Sequence, residues 1–151
     1  MKYLIVLMLF LQANSCHQRE LAKTEATENT EETKTKMALA QLHDIWALSA
    51  IEGSPIELAS YPSGVATLEI YLQEKSISGF SGCNQYAAPI TEMTDKEISF
   101  GNVVATKKYC PSVNERIFFQ SLEKVNKYRM EKLELILFED STEVLRFKKV
   151  D

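Results

Sequence analysis

The eight residues ATLEIYLQ, at positions 66–73, put Leu68, Ile70 and Leu72 on one side of an extended chain and Thr67, Glu69, Tyr71 and Gln73 on the other. A period of two does not suit a helix, whose apolar positions recur every three or four residues. One apolar and one polar face is what a half-buried antiparallel strand presents. Shorter pieces of the same kind recur. HDIWALSAI (43–51) alternates before Glu52-Gly53-Ser54-Pro55 breaks it, and residues 76–80 and 85–93 read as further strands. Thr94-Asp95-Lys96 then turns the chain into 97–100. Residues 132–138 and 143–149 alternate again across the polar turn 139–142, a closing hairpin.

One segment breaks the pattern. In SVNERIFFQSLEKVNKY (112–128), Val113, Ile117, Leu122, Val125 and Tyr128 approximate a helical stripe, and Ser112 with Glu115 has the S-x-x-E spacing of a capping box. Strands followed by one late helix, with no βαβ alternation and no repeat, predict a mainly antiparallel β fold with one packed helix (α+β), a sheet or partly closed barrel.

SGFSGCNQY (78–86) interrupts strand-like sequence with small residues. Gly79 and Gly82 mark positions of close backbone approach or positive φ, and Asn84 also tolerates such a conformation. Cys83 therefore sits on a bulge or corner, 27 positions before Cys110, which precedes the helix. A disulfide between them would staple the helix start to the sheet and contribute about 3.6 kcal/mol on the chain-entropy model. The same pair is open to two other readings: two buried thiols, or a nucleophile on a strained turn. A thiolate needs a neighbour that lowers its pKa, and the two histidines are His17 and His43, neither placed beside Cys83 by the sequence. C-x-x-C and H-x-x-x-H spacings are missing, as are phosphate-cradling glycine motifs, so neither a metal nor a cofactor is expected.

The third cysteine has a different setting. MKYLIVLMLFLQANSC has one basic residue, Lys2, an apolar run from Leu4 to Leu11, and Ala13-Asn14-Ser15 before Cys16. The run is short of the roughly 20 residues that span a bilayer and fits a signal peptide over residues 1–15. Lipid attachment to Cys16 is the favoured reading, and ordinary signal cleavage after Ser15 is its rival. Residues 16–40, rich in Glu, Thr and Lys, have too little apolar area to fold alone and read as a flexible tether. Residues 41–151 form the domain. A net charge of −4 with pI near 5.3 leaves no basic field to gather nucleic acid. Lys107-Lys108-Tyr109 and Lys124, Lys127 and Arg129 are modest basic spots, read as solvated faces, and Tyr71 and Tyr86 are candidates for outward-facing aromatics.

The ordered elements W-x-L (Trp46, Leu48), S-G-x-x-G-C-N-x-Y (Ser78 to Tyr86), T-x-x-x-C (Thr106, Cys110), E-x-x-F-x-x-x-L (Glu115, Phe118, Leu122) and L-x-L (Leu133, Leu135) resemble the META domain family, HslJ-like proteins also catalogued as a domain of unknown function. The family often has Met-Ala before the second cysteine, where this chain has Lys108-Tyr109. The resemblance covers about Asp44 to Lys149. It implies a compact antiparallel barrel with one helix, found on lipoproteins and other exported proteins, with no established catalytic site.

The expected protein is thus a lipoprotein of the cell envelope, at the outer membrane and facing the periplasm or the surface. It would be held to the membrane through Cys16 and act as a non-enzymatic binding, accessory or stress-tolerance module, with another envelope protein as partner. The contrasting expectation is a thiol-based redox or acyl-transfer enzyme using Cys83 and Cys110. The sequence does not define an oligomeric state.

Overall fold

The computed structural model describes Lys36 and residues 39–150; the signal segment and Cys16 lie outside the described residues. Ten strands follow: β1 (Ile45–Ile51), β2 (Ser54–Pro55), β3 (Thr67–Tyr71), β4 (Ser76–Phe80), β5 (Gln85–Met93), β6 (Ile98–Phe100), β7 (Val104–Ala105), β8 (Lys127–Glu131), β9 (Glu134–Glu139) and β10 (Thr142–Lys149). A 3₁₀ turn, Leu58–Ser60, follows β2, and one helix, α1 (Glu115–Lys124), lies between β7 and β8.

The period of two dictates the faces. Trp46, Leu48 and Ala50 of β1 and Leu68 and Ile70 of β3 are buried, while their alternates are partly or largely exposed. All pairings are antiparallel, in the order β6-β5-β4-β3-β1-β10-β9-β8, with β2 added to β1 and β7 to β5. Twist brings the terminal strands together. The Tyr128 N–H donates to the Lys96 carbonyl at 3.0 Å, and the Tyr128 hydroxyl to the Thr94 carbonyl at 3.1 Å. The sheet is thereby nearly closed, which hides most of the edge that an open sheet would leave. The expected fold class is the observed one.

The barrel interior holds Trp46, Leu68, Ile70, Ile77, Ile98, Leu135, Leu137 and Phe147, each essentially inaccessible. Burying such a side chain contributes about 1.5–3 kcal/mol. Helix α1 packs on β10 and β6 through Phe118, Ser121 and Leu122, an i, i+3, i+4 set. Phe118 meets Tyr86 and Phe147 with ring centroids 5.5 and 6.4 Å apart.

The structure corrects the sequence reading at several places. The stripe expected from Val113 to Tyr128 is broken: Ile117 is 39% exposed, Phe118 faces inward, and the helix stops at Lys124. Val125 is extended and buried, and Asn126 then exchanges hydrogen bonds with Asp140, its amide donating at 2.8 Å and its carbonyl accepting the Asp140 N–H at 2.8 Å. Residues 127–131 pair with β9 as a strand, so sheet pairing overrides helical propensity here. Strands β2 and β7, two residues each, have no readable period. Tyr86 points inward, with its hydroxyl on the Thr67 carbonyl at 2.8 Å.

Candidate functional site

The corner at residues 79–84 is built from small residues for two different reasons. A side chain on Gly79 would place its Cβ 2.1 Å from the Thr67 carbonyl oxygen, so β3 and β4 can approach only if that atom is missing. Gly82 has φ of +94°, a conformation that costs other residues strain, and its open side receives the Tyr61 ring. Beside it a disulfide joins Cys83 to Cys110, with Cα atoms 5.9 Å apart.

Asn84 does not take up the positive φ that its type allows; it is the hub of a buried hydrogen-bond network. Its Oδ1 accepts from the Thr106 hydroxyl at 2.8 Å and the Lys108 N–H at 2.7 Å. Its Nδ2 donates to the Lys108 carbonyl at 3.2 Å and to Glu115 Oε2 at 2.7 Å. Two acceptor sites and two donors on one planar amide suit asparagine and exclude aspartate.

Glu115 is the second correction. The capping box does not form, since α1 starts after Asn114 with no side-chain cap and Ser112 is exposed. The Glu115 carboxylate instead reaches across to the corner, accepting from the Ser81 hydroxyl, the Asn84 N–H at 3.1 Å and Asn84 Nδ2. Charge-assisted bonds are about twice as strong as neutral ones, so the first turn of α1 is strapped to the sheet rather than capped by its own segment. With the disulfide, this gives two ties between the corner and residues 110–115.

Those ties set one wall of a cleft of about 430 Å³. Ile51, Pro55, Ile56 and Tyr61 form one side, Ser112, Asn114 and Ile117 the other, and Ser54, Ser60, Glu52 and Glu57 line it as well. Burial holds the Tyr61 phenol above its ordinary pKa, so it stays neutral and offers a hydroxyl. The lining offers apolar contact, hydroxyls and two carboxylates, and includes no cysteine, histidine or lysine. Such a surface can bind a partner that offers apolar area and hydrogen-bond donors. Among the described residues no cluster of three or more His, Cys, Asp or Glu is arranged to hold a metal.

Of the residues singled out by sequence, Gly79, Gly82, Cys83, Asn84, Cys110 and Glu115 come together at this corner, and Ser112 lines the adjoining cleft without bonding Glu115. Cys16 lies outside the described residues. Tyr61, Thr106 and the Lys108 backbone were not among the expected site residues. Tyr61-Pro62-Ser63-Gly64 reads locally only as a turn, and a backbone atom's partner leaves no mark on residue type.

A nearly closed antiparallel barrel, with one helix strapped to a disulfide-tied glycine corner, defines a class of small β modules. The chain belongs to the META domain family, whose model matches residues 21–151. It is similar in structure to a protein from Burkholderia xenovorans solved by NMR, with 25% identity, TM-score 0.56, and coverage of 75% of this chain and 87% of that one. A second NMR structure, described only as a protein, has 18% identity and TM-score 0.54 over 72% of this chain and 90% of the other. A crystal structure of a DUF4847 family protein from Bacteroides vulgatus ATCC 8482 shares 13% identity and TM-score 0.55, over 73% and 96% of the two chains. At that identity the last two likenesses concern the fold alone. A search of curated proteins finds none that matches.

Proposed function

We propose that this chain is a membrane-tethered, non-enzymatic binding module of the cell envelope that presents the cleft beside the glycine corner to another envelope protein. META membership supports the reading only coarsely, as a domain of unknown function for which no catalytic role is indicated. The export reading comes from residues 1–16 of the sequence, and a role in stress tolerance comes only from the resemblance.

The observation that carries the proposal is where the cleft sits. Ile51, at the far end of β1, lines it, whereas the chain comes into the barrel at the near end. There Leu42 accepts from the Trp46 indole at 3.1 Å and His43 Nδ1 is 2.8 Å from the Ile70 carbonyl. A seven-residue strand is about 20 Å long, so the cleft and the point where the chain enters the barrel lie at opposite ends of β1. Glu52 and Glu57 favour a partner segment that is apolar with a basic residue.

The test is intact mass of the protein taken from native membranes, unreduced and treated with a thiol-alkylating reagent. An acylated chain starting at Cys16 with no label supports the reading, and a labelled Cys83 moves a thiol-based redox or acyl-transfer enzyme ahead of it. A photocrosslinker in place of Ile117 should then trap one envelope protein, and Glu57→Lys should abolish the trapping. Crosslinks that persist at the same level in Glu57→Lys would remove the cleft from the interface.

A further inference from the structure

We propose that the outer edge of β7 and of the segment that continues it, residues 104–109, is a docking edge to which an acidic, extended segment of another protein adds as a further strand. This surface is distinct from the cleft and does not rest on the reading proposed for it.

The backbone defines the edge. Antiparallel pairing of β7 with β5 runs on past Ala105, since the Thr106 N–H donates to the Gln85 carbonyl at 3.0 Å. Beyond Gln85 the facing chain turns through the glycine corner, and the Asn84 side chain takes over the ladder. Its Oδ1 accepts the Lys108 N–H at 2.7 Å, and its Nδ2 donates to the Lys108 carbonyl at 3.2 Å. A side-chain amide thus stands in for a peptide group, and residues 104, 106 and 108 all bond inward. Along an extended chain the groups between them point the other way. Ala105, Lys107 and Tyr109 therefore turn their N–H and C=O outward, and among the described residues neither Lys107 nor Tyr109 has a backbone hydrogen bond. Every residue from 104 to 109 is exposed, Val104 by 66% and Tyr109 by 89%, so no other described segment covers this edge.

The side chains choose the occupant. Residues 76–91 and 101–116, which form the edge and its surroundings, contain three bases, Lys107, Lys108 and Arg116, and one acid, Glu115. The Glu115 carboxylate is taken up by Ser81 and Asn84. None of the three bases forms an ion pair with the cleft's Glu52 and Glu57 or with any other described acid. Successive side chains leave an extended chain on opposite faces, so Lys107 and Lys108 offer one ammonium on each face of an added strand. A second copy is disfavoured, because self-pairing about residue 107 sets ammonium opposite ammonium, the device by which natural edges avoid one another. Two neighbouring carboxylates on the incoming segment turn that repulsion into attraction. A shallow depression of about 360 Å³ beside the edge, lined by Gln85, Tyr86, Ala87, Val104, Ala105 and Thr106, has room for one apolar side chain of the same segment. In antiparallel register the partner reads acid opposite Lys108, acid opposite Lys107 and, three positions on, an apolar residue opposite Val104.

Amide hydrogen exchange, followed by NMR on the full nitrogen-labelled chain in neutral detergent, tests this. The probe is a blocked eight-residue peptide of threonine and valine that carries two adjacent glutamates and a valine three positions after the second. A control peptide has lysine in place of both glutamates. With the glutamate peptide in excess, exchange at Lys107 and Tyr109 should slow by about ten-fold or more, while Thr106 and Lys108, already bonded inward, change by less than about two-fold. The lysine peptide should leave all four amides unchanged, and in Lys107→Glu with Lys108→Glu the two peptides should exchange roles. Slowing at all four alike, a response confined to Ile51 and Ile117 of the cleft, or no response to the glutamate peptide overturns the proposal. Slow exchange at Lys107 and Tyr109 before peptide is added also overturns it. The edge then belongs to a second copy if the chain sediments as a dimer, and to the chain's own segments if it sediments as a monomer.

Discussion

Replacing Glu115 by alanine separates the strap seen in the structure from the helix cap read in the sequence. The carboxylate accepts three hydrogen bonds, from the Ser81 hydroxyl, the Asn84 N–H and Asn84 Nδ2. Bonds to a charged group contribute about 1.5–3 kcal/mol each, so simple addition gives an upper bound of about 4.5–9 kcal/mol. Glu115 is only half-buried, and water can replace part of the lost bonding. Glu115→Ala should therefore lower stability by about 3–4 kcal/mol, whereas Ser112→Ala, exposed and bonded to nothing in the strap, should stay within about 0.5 kcal/mol. Were the two residues a capping box, both would cost about 1 kcal/mol. Urea unfolding followed by the fluorescence of Trp46, the single tryptophan and a buried one, measures each value. A double-mutant cycle with Asn84→Ala should give a coupling of about 1.5–2 kcal/mol, since both variants break the same 2.7 Å bond. A Glu115→Ala loss below about 1 kcal/mol, equal to that of Ser112→Ala and uncoupled from Asn84, would refute the strap.

The glycine corner makes a graded set. Gly79→Ala, blocked at 2.1 Å by backbone, should fail to fold or lose several kcal/mol, Gly82→Ala should suffer both strain and contact with Tyr61, and Gly53→Ala, at φ of +73° with nothing near, should lose only about 1 kcal/mol in the same unfolding assay. Opening the Cys83–Cys110 bond, by reductant or by paired Cys→Ala changes, should lower stability by about 3–4 kcal/mol on the chain-entropy account and shift the urea midpoint down, an effect absent from the paired variant when reductant is added. The Lys149 ammonium, hydrogen-bonded to Asp44, holds that carboxyl below its ordinary pKa, so the pair stabilises the fold above the usual carboxylate range and the contribution is lost as pH falls through it. Lys149→Met should flatten that acid limb by about 0.2–1 kcal/mol, as for a solvent-screened rim pair, with thermal midpoints between acid and neutral pH as the measure.

Much of the barrel was legible because its strands carry their information locally. Leu68, Ile70 and Leu72 alternate with polar residues whatever else the chain does, and the corner at Gly79 and Gly82 announces itself because only glycine fits such places. The spacing of Cys83 and Cys110 named the two sulfurs that a tie would need. Where local signals compete, sequence could not decide. Val125 and Tyr128 fit a helical stripe as well as they fit a strand, and only the offer of β9 as a pairing partner, with Asn126 locked to Asp140, ends α1 at Lys124. Ser112 and Glu115 have cap spacing, but a carboxylate goes where the most donors converge, and those come from Ser81 and Asn84, more than 30 positions away. The same holds for Asn84, read as a residue that tolerates a turn and found as a four-bonded hub. Residue type and period determined that this chain makes short antiparallel strands around one core. Which polar groups meet and which wall of the cleft they fix were decided by long-range closure of the barrel, because those contacts exist only once distant segments are packed together.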